Sequence, residues 1–590
     1  MPSTRFWNEL PRPQAEDPTR MLNIERTLAT HYPDFVQRHR RSAQTLSRFL
    51  GFLFYESRFQ KFAADYPHLR GFDFVEEVLR YFDFDLRLTE RERARIPSSG
   101  RVVIAANHPI GSLDGLALLK LVRSVRPDVK VVANELLTAI GPLHDVLLPV
   151  ANMGTAGSAR DNLKAIKEHL LADGALIIFP AGEVSRLSPG GVRDCEWQSG
   201  FVKLASSTRS PILPVYVAGR NSLFFYSLSA LAKPLSTLWL VREMFKQSHN
   251  TVDARIGRPV PHEIYTANGF SARQLARMFR KHVYRLGSSR PIFRSVETVA
   301  PAENPQLLRA ELAASECLGE TRDGKVIYLC TMDAAPCVMR EIGRLREFTF
   351  RAVGEGTGQP RDIDRYDKYY RQLVLWDRDA MEIAGAYRIA DAGAIIDQYG
   401  LDGLYSASLF DYGPSMLPLL RQGLELGRSF VQPRYQTRGS LDYLWYGIGA
   451  YLKERPQLRY LFGPASISRF YGTDATARLV HFYGTHYSGA HLDVTPRSPF
   501  LIPPELQQQL AAEFDGCDAE EDFKALKQAL AGRGLPVPTL YKHYSQATSP
   551  DGVCFSAFNV DEDFGDCVDS FVIADLHKLT ARKRQRYLES

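Results

Sequence analysis

The chain has 590 residues, 45% of them hydrophobic and 24% charged, with a formal net charge of +6. This composition is globular and excludes a disordered protein, and the length predicts two or more domains. The mild positive charge does not indicate a nucleic-acid partner, although it is compatible with acidic proteins and anionic lipid surfaces.

The seven cysteines are scattered, odd in number and without a C-x-x-C pair. This pattern predicts neither a disulfide framework nor a zinc site, so we expect no bound metal and a reducing compartment. Residues 1–18 are polar and broken by proline, without the apolar core of a signal peptide. We therefore expect a cytoplasmic protein.

Residues 1–95 are predicted to be a mainly helical region. Within it, residues 68–88 are amphipathic, with aromatic side chains recurring on one side. These aromatics favour a core-packing role, although their density also suits a face that meets acyl chains. The region is therefore a candidate for membrane association.

Residues 96–290 are predicted to form an α/β domain, because strand-like and helix-like segments alternate from Arg101 onwards. The alternation is typical of a largely parallel sheet, in which sites lie at the carboxyl ends of the strands. The predicted strands are Val102–Ala105, Val129–Ala133, Ala175–Phe179 and Ile212–Ala218, and the predicted helices are Leu113–Val122, Ala159–Leu171 and Ser199–Ser207.

The segment Leu223–Val241 is the nearest approach to a membrane helix, but Lys233 and Pro234 interrupt it. Two interpretations stay open: a buried helical hairpin, or an interfacial hairpin that dips into a bilayer. Trp239 and the flanking arginines suit the headgroup boundary that the second interpretation requires.

The stretch Ala105–Gly115, AANHPIGSLDG, lies between the first predicted strand and its helix. A histidine held by a nearby carboxylate can remove the proton of an alcohol as its oxygen attacks a thioester carbonyl. We therefore expect His108 to be the catalytic base, and Asp114 to orient the imidazole and stabilise the imidazolium.

Two later motifs accompany this stretch: the turn Phe179–Glu183 (FPAGE) and the proline-containing strand Ile212–Val215 (ILPV). With them, residues 100–220 resemble the glycerolipid acyltransferases, also called lysophospholipid acyltransferases. The resemblance implies an O-acyltransferase and a substrate-binding role for residues at the motifs. These candidates are Asn107, Gly111, Gly182, Glu183 and Arg186, with Arg160 as a further anchor.

Two departures from the family pattern bear on geometry and on substrate. Five residues separate His108 from Asp114, where the family usually has four, and Gly111 is expected to absorb the extra residue in a bulged turn. Ala181 and Val184 replace the Glu and Arg that the family associates with the acceptor's phosphate. This favours an acceptor with another head group.

Residues 291–320 are interpreted as a linker, since proline, serine and polar residues cluster at Ser289–Pro305. A second α/β domain is predicted over residues 321–590. Its predicted strands are 326–332, Gln372–Trp376, Ile383–Ile389, Leu424–Val431 and Tyr460–Pro464, and its predicted helices are Ala335–Arg351 and Leu441–Lys453.

Three pieces of this second domain form a series: RLREFTFR at 344–351, DIDRYD at 362–367 and ELGRSFV at 425–431. With them, residues 325–471 resemble the ornithine N-acyltransferases, members of the Gcn5-related N-acyltransferase (GNAT) fold. The resemblance implies a mixed α/β fold and acyl transfer to an amine. The substrate-binding candidates are Arg346, Asp362, Asp364, Asp367, Arg388 and Arg428.

In this fold the acceptor amine attacks the thioester directly, so a carboxylate must accept a proton and a backbone donor must stabilise the oxyanion. Glu425 is the candidate base; an ion pair with Arg428 or Arg388 is its alternative role. The three aspartates of DIDRYD are expected either to hold a cationic amino-acid side chain or to cap a strand or helix.

The fold's usual pyrophosphate-binding loop is degenerate at Gln436–Leu441 (QTRGSL). A glycine-rich turn at a helix N-terminus normally binds pyrophosphate through backbone amides. We therefore expect no cofactor, and a donor that is the 4′-phosphopantetheine thioester of acyl carrier protein rather than of coenzyme A. Exposed basic residues would bind that acidic protein.

The whole chain resembles the bifunctional ornithine lipid synthases of bacteria. This implies that the second domain joins a 3-hydroxyacyl group to ornithine and that the first O-acylates the lyso-lipid, peripherally at the cytoplasmic side of the inner membrane. Three alternatives stay open. The amino acid is glycine or a similar one; or the first domain is a lysophosphatidate acyltransferase and the second modifies something else; or the second domain binds carrier protein or membrane without catalysis.

Overall fold

The computed structural model divides the chain into two compact units, Met1–Thr298 and Val299–Ser590. Each unit is an α/β structure built on its own sheet, and the predicted fold class is confirmed. The structure describes residues 44–589 except 46, 49–50, 53–54, 135–139, 151–155, 189–190, 232, 268, 287–290, 437–438 and 515. The predictions for residues 1–43 lie outside this range.

The strands of the first unit are β1 (Asp85–Arg87), β2 (Val102–Ala106), β3 (Val129–Asn134), β4 (Leu147–Val150), β5 (Ala175–Ile178), β6 (Arg186–Ser188), β7 (Gly191–Arg193), β8 (Ile212–Val217) and β9 (Thr251–Ile256). Its helices are α1 (Glu56–Asp65), α2 (Gly71–Phe82), α3 (Glu90–Arg93), α4 (Ser112–Arg123), α5 (Ala156–Leu171), α6 (Gly200–Ser207), α7 (Leu223–Leu231), α8 (Lys233–Lys246), α9 (His262–Thr266) and α10 (Ala272–Val283).

The main sheet of this unit has the order β1-β9-β8-β2-β5-β3-β4, with every pair parallel except β8–β9. Central strand β2 is buried along its whole length, which explains its unbroken apolar run. Val102, Ile104 and Ala106 pack with residues of α2 and α4, whereas Val103 and Ala105 pack with residues of α6 and α10. Alternation along the strand thus gives a helix layer on each face.

The amphipathic segment 68–88 does not continue as helix to its end. Helix α2 stops at Phe82, because Asp83 takes a left-handed conformation (φ 45°) and its N–H bonds back to the last turn. The chain then forms edge strand β1, whose Leu86 is buried. The aromatics Phe74 and Phe82 lie in the core, which confirms the core-packing interpretation for them.

The segment 223–241 forms two consecutive helices, α7 and the first part of α8, that pack against each other. The helical interpretation is therefore confirmed, but burial is one-sided: Phe225 and Tyr226 are buried, whereas Leu223 and Phe224 are exposed. In the described part of the chain, no helix is both long enough and apolar enough to cross a membrane.

The strands of the second unit are β10 (Glu316–Glu320), β11 (Val326–Cys330), β12 (Arg371–Asp377), β13 (Glu382–Asp391), β14 (Phe410–Tyr412), β15 (Gly423–Val431), β16 (Tyr460–Ile467), β17 (Val494–Pro496), β18 (Val553–Asp561) and β19 (Cys567–Asp575). Its helices are α11 (Pro305–Ala313), α12 (Pro336–Ala352), α13 (Ala392–Tyr399), α14 (Leu417–Arg421), α15 (Ser440–Lys453), α16 (Gly472–His486), α17 (Pro504–Glu513), α18 (Ala519–Ala531), α19 (Thr539–Ser545) and α20 (Ala581–Leu588).

The main sheet of the second unit has the order β10-β11-β12-β13-β15-β16-β19-β18. Its neighbouring strands are antiparallel except β15 and β16, which run parallel. A single parallel pair in an antiparallel sheet marks the position where the candidate site of this unit lies.

The second unit begins at Val299, inside the segment interpreted as a linker. Residues 305–313 and 316–320 of that segment form α11 and β10. The Asn304 side chain caps α11 by accepting a hydrogen bond from the Gln306 N–H (2.8 Å), and Pro305 occupies the first turn, where proline is favoured. The proline and polar residues here begin a helix.

Candidate active sites

The first site forms where three neighbouring parallel strands end. Strands β8, β2 and β5 are adjacent in the sheet, so their carboxyl ends meet at one edge. His108 follows β2, Phe179 and the FPAGE turn follow β5, and Asn221 follows β8. The three turns that sequence order assigned to the carboxyl ends of the strands therefore lie at one edge of the sheet.

The turn between β2 and α4 places Asp114 beneath His108. Gly111 has φ 124°, a conformation that L side chains rarely adopt, and it absorbs the additional residue of this turn. The Asp114 carboxylate is fully buried and accepts hydrogen bonds from the N–H groups of Ile110 (2.9 Å) and Gly111 (3.2 Å). The carboxylate is thus fixed by the backbone of the turn that carries the histidine.

The imidazole of His108 has the placement that a general base requires. Its Nδ1 lies 3.1 Å from Asp114 Oδ1, an ion-pair distance whose alignment falls short of a linear hydrogen bond. The ring stacks on Phe179 (centroids 4.2 Å apart) and remains 19% exposed, and among the described residues Nε2 has no partner. With Nδ1–H held toward Asp114, Nε2 is the atom that can take a proton from a substrate.

A second carboxylate, Asp194, supports the histidine from its backbone side. Its Oδ1 accepts hydrogen bonds from the His108 N–H (3.2 Å) and the Ser185 hydroxyl, and its Oδ2 accepts one from Trp197 Nε1 (2.8 Å). Burial raises the pKa of Asp194. Burial by itself lowers the pKa of His108, but the charges of Asp114 and Asp194 outweigh it, so the pKa is raised.

Sequence reasoning missed Asp194 and also Asn221. The Asn221 amide donates to the carbonyls of Pro109 and Ile110 (3.2 Å each), so it fixes the turn that follows His108. The only sequence feature that pointed to Asn221 as a site residue was its position just after a predicted strand. Asp194 follows a short hairpin, β6–β7, that the apolar pattern did not predict.

The other candidates of the first site have mixed placements. Asn107 exchanges two hydrogen bonds with the backbone of Val217 (2.8 and 2.7 Å), so its amide ties β2 to β8 and is not directed at a substrate. Gly182 (φ 69°) closes the FPAGE turn, and Arg160 is exposed on α5, with no described contact to His108.

Glu183 and Arg186 form an ion pair with each other. Their carboxylate and guanidinium approach to 3.1 Å, and Arg186 also donates to the Ser229 hydroxyl. An arginine already neutralised by a neighbouring carboxylate is a poor clamp for a phosphate.

The second site lies where the parallel strands β15 and β16 separate. They pair only over Gly423–Glu425 and Tyr460–Phe462; beyond this, β15 stays with β13 and β16 stays with β19. Arg428 has φ 47°, and the β13–β15 register shifts beside it, so β15 carries a bulge there. Beyond Glu425 the edge of β15 that faces β16 is unpaired among the described strands, and such an edge can bind an extended amide chain.

The three aspartates of DIDRYD are all neutralised by arginines of the same unit. Asp367 accepts from Arg346 Nη1 (3.0 Å), and Asp364 accepts from Arg388 Nη1 (2.7 Å) while capping a short 3-10 turn. Asp362 pairs with Arg428 at 3.1 Å. The capping role is therefore observed for Asp364, and each of the three carboxylates has an arginine within ion-pair distance.

Glu425 lies sealed in the core of the sheet. It is 1% exposed; its Oε1 accepts a hydrogen bond from the Ser406 N–H (2.7 Å) and its Oε2 accepts one from the Tyr370 hydroxyl. Burial raises its pKa despite these bonds. The described contacts include no ion pair of Glu425 with Arg388 or Arg428. The geometry favours a role in holding Tyr370 and the backbone at Ser406.

Two carboxylates that the motifs did not indicate lie within electrostatic reach of Arg428, the residue at the bulge of β15. Glu355 follows α12 in a loop that packs against the end of β16, where the Ser468 hydroxyl donates to the Val353 carbonyl. Burial and the charge of Asp569 raise the pKa of Glu355 to about 8, against the opposing charge of Arg428. Asp569 lies on β19, opposite Ser466 of β16. Burial raises the pKa of Asp569 to about 6.

Comparison with known proteins agrees with this division. Residues 26–291 match a family model described as an acyltransferase, and residues 345–446 match the acetyltransferase (GNAT) domain. A protein named glycine N(alpha)-acyltransferase, from Bacteroides thetaiotaomicron, is 32% identical over 308 residues, which cover 50% of this chain and 90% of the relative.

Two further relatives match parts of the chain. One named lyso-glycine lipid O-acyltransferase, from Phocaeicola vulgatus, is 28% identical over 46% of this chain and 97% of its own length. One named L-ornithine N(alpha)-acyltransferase, from Brucella abortus, is 32% identical over 25% of this chain and 50% of its own length.

The fold, the two sites and these matches define an acyltransferase with an acyltransferase domain at the N-terminus and a GNAT domain at the C-terminus. The chain belongs to the same family as the protein named glycine N(alpha)-acyltransferase from Bacteroides thetaiotaomicron.

Proposed function

We propose that the protein makes a two-chain aminolipid in two steps. The second unit joins a 3-hydroxyacyl group to the α-amine of glycine, and the first unit acylates the hydroxyl of that product. The observation that carries glycine is the match to a relative named glycine N(alpha)-acyltransferase, which extends over 90% of that relative's length. The triplet Asp362, Asp364 and Asp367 supports this choice, because each of the three carboxylates already has an arginine partner and none is left within the triplet for the second ammonium group of ornithine.

The names of the relatives support both steps. One relative is named for N-acyl transfer to glycine and another for O-acyl transfer to lyso-glycine lipid, and each is matched over at least 90% of its length. Ornithine is the second candidate, because relatives named for ornithine match about a quarter of the chain. These matches cover only about half of each ornithine relative.

O-acyl transfer uses His108 as base and then as acid. Nε2 takes the proton of the lyso-lipid hydroxyl while the hydroxyl oxygen bonds to the carbonyl carbon of the thioester. The C–S bond then breaks, and the imidazolium gives the proton to the leaving thiolate. Asp114 holds the tautomer and stabilises the imidazolium. The Glu183–Arg186 pair leaves no phosphate clamp, as a phosphate-free acceptor permits.

N-acyl transfer uses the gap between β15 and β16. The pantetheine arm of the donor lies along the open edge of β15, and the amine attacks the carbonyl without a covalent enzyme intermediate. Glu355, within electrostatic reach of Arg428, accepts the ammonium proton, and its pKa of about 8 suits proton transfer near neutral pH. The amine nitrogen then bonds to the carbonyl carbon, the C–S bond breaks, and the leaving thiolate takes the second proton of the nitrogen. Glu425 is too enclosed for this step.

The donor is acyl carrier protein, and the enzyme works peripherally at the cytoplasmic side of the inner membrane. The degenerate loop Gln436–Leu441 supports this donor. Thr437 and Arg438 lie outside the described residues, while Gly439 (φ 70°) precedes the first residue of α15. A donor attached to a protein needs no pyrophosphate site at this helix N-terminus.

The test is a lipid extract from a host that lacks aminolipids, expressing the full chain and fed labelled glycine or labelled ornithine. We expect glycine in a two-chain lipid from the native protein and in a one-chain lipid from His108→Ala, with O-acyl transfer reduced about 10²–10⁴-fold. His249→Ala is the matched control, since His249 also pairs with an aspartate, Asp83 (2.9 Å), but at an 80% exposed surface position.

Each outcome decides a separate part of the proposal. A two-chain product from His108→Ala contradicts the role of His108, and label from ornithine alone contradicts glycine. Purified protein that uses acyl-coenzyme A as well as acyl carrier protein contradicts the donor. No label in any lipid favours a second unit without catalysis.

A further inference from the structure

A group of large apolar side chains faces solvent beside the first site. Leu187 on β6 is 62% exposed, and Leu223 and Phe224 at the start of α7 are 81% and 53% exposed. Single exposed leucines are ordinary on soluble proteins, but a group on adjoining elements marks a surface that meets a partner. We call these three residues the apolar rim.

The rim is held by rigid elements. The side chains next in sequence, Phe225 and Tyr226, are buried and pack with Val184, and Arg186 of β6 donates to the Ser229 hydroxyl of α7. The hairpin β6–β7 and helix α7 are thereby joined, so the rim residues stand out from an anchored base.

The same elements hold the turn that carries His108. The Asn221 amide, two residues before the rim, donates to the carbonyls of Pro109 and Ile110. On the hairpin side, the Ser185 N–H donates to the His108 carbonyl (2.7 Å), and Val184 lies 3.6 Å from the position of a Cβ on Gly111. The rim is therefore continuous with the catalytic turn.

Within the described residues, the exposed charged side chains of the two segments that carry the rim, 184–193 and 219–242, are arginines. Arg186 is paired with Glu183, and Glu243, which follows Arg242, is buried and paired with Lys246. Arg193 and Arg220 are exposed. The Trp239 ring packs at a tilt against Phe224 (centroids 4.9 Å apart), and the Arg242 guanidinium lies 5.0 Å from the Trp239 ring centroid. Cations beside tryptophan and exposed apolar side chains complement an anionic lipid headgroup layer.

We propose that the apolar rim and its arginines dock the first unit on an anionic bilayer, with His108 at the membrane boundary. This rests on the proposed function, because an acceptor with one acyl chain stays in the bilayer and only its head group and hydroxyl need to reach the base. The rim enters the acyl region while Arg193 and Arg220 contact the headgroups.

The experiment measures binding of the full chain to vesicles of phosphatidylglycerol and of phosphatidylcholine by co-sedimentation. We expect the native protein to bind phosphatidylglycerol, and Leu223→Ser with Phe224→Ser to weaken that binding at least about tenfold, as loss of two inserted side chains predicts. The control replaces Leu163 and Leu171 with serine; these leucines are 49% and 54% exposed on α5, outside the rim.

Assays of O-acyl transfer distinguish a failure of the docking surface from a failure of the proposed function. The rim variant is expected to lose O-acyl transfer to a lyso-aminolipid in vesicles and to keep transfer to a short-chain, soluble one. Equal vesicle binding by rim and control variants overturns the docking surface, and so does a change of oligomeric state in the rim variant with vesicle binding unaltered. Rim-dependent binding without any two-chain product leaves the surface standing and rejects the proposed function.

Discussion

The two candidate sites differ in what balances their carboxylates. In the first unit, Asp114 faces an imidazole that is 19% exposed, and Nε2 of that ring has no partner among the described residues. In the second unit, the aspartates of DIDRYD face arginines, and Glu425 is sealed by Tyr370 and Ser406. A carboxylate whose charge is balanced inside the protein maintains structure, whereas one that orients an accessible base takes part in chemistry.

The largest effect that tests this difference is expected at Asp367. Asp367→Asn leaves the fully buried Arg346 uncompensated, so we expect the second unit to lose about 3–5 kcal/mol of stability. Urea unfolding that reports on the second unit measures this loss, and O-acyl transfer reports separately on the first unit. Asp397→Asn, which breaks an exposed ion pair with Arg421, is the control and is expected to cost about 1 kcal/mol or less.

The pH dependence of the same variant follows from the pKa of Asp367. Burial opposes the charged form, but Arg346 and Arg388 lower the pKa to about 2. A lowered pKa stabilises the folded state above the ordinary carboxyl pKa of about 4, and this contribution is lost as the pH falls toward about 2. Native protein and Asp367→Asn should therefore converge in stability on acidification; a constant difference would exclude the ion network as its cause.

The elements of both units were largely predictable, since buried parallel strands give unbroken apolar runs such as Val102–Ala106. The edge of the sheet that holds His108 was predictable for the same reason. The supports were not: Asp194 and Asn221 reach the histidine turn from 86 and 112 residues away. The three aspartates of DIDRYD were evident from the sequence. Their arginine partners were not, because they come from α12, β13 and β15, which only the tertiary structure brings together.

A smaller effect is expected at Asp194, and it sharpens the description of the first site. His108 must be unprotonated to act as a base, so O-acyl transfer rises with pH through its raised pKa. Asp194→Asn removes a charge that raises this pKa, and we expect the acidic limb of kcat/KM to move to lower pH. Trp197→Phe removes one hydrogen bond to Asp194 but keeps the charge, so its acidic limb should stay in place. A limb that moves in both variants would indicate general loosening.

The smallest effect is expected at Glu425, the residue that the sequence indicated as the base. Burial raises the pKa of Glu425, so the amide of Glu425→Gln resembles its protonated form and still accepts the Ser406 N–H. We expect N-acyl transfer to change by less than about tenfold, against about 10²–10⁴-fold for loss of a general base, which is the result expected of Glu355→Gln. Initial rates with both variants measure the contrast. If Glu425→Gln shows the larger loss, Glu425 acts as the base through the hydroxyl of Tyr370. A buried carboxylate would then take part in the chemistry of the second unit, as the partly exposed imidazole does in the first.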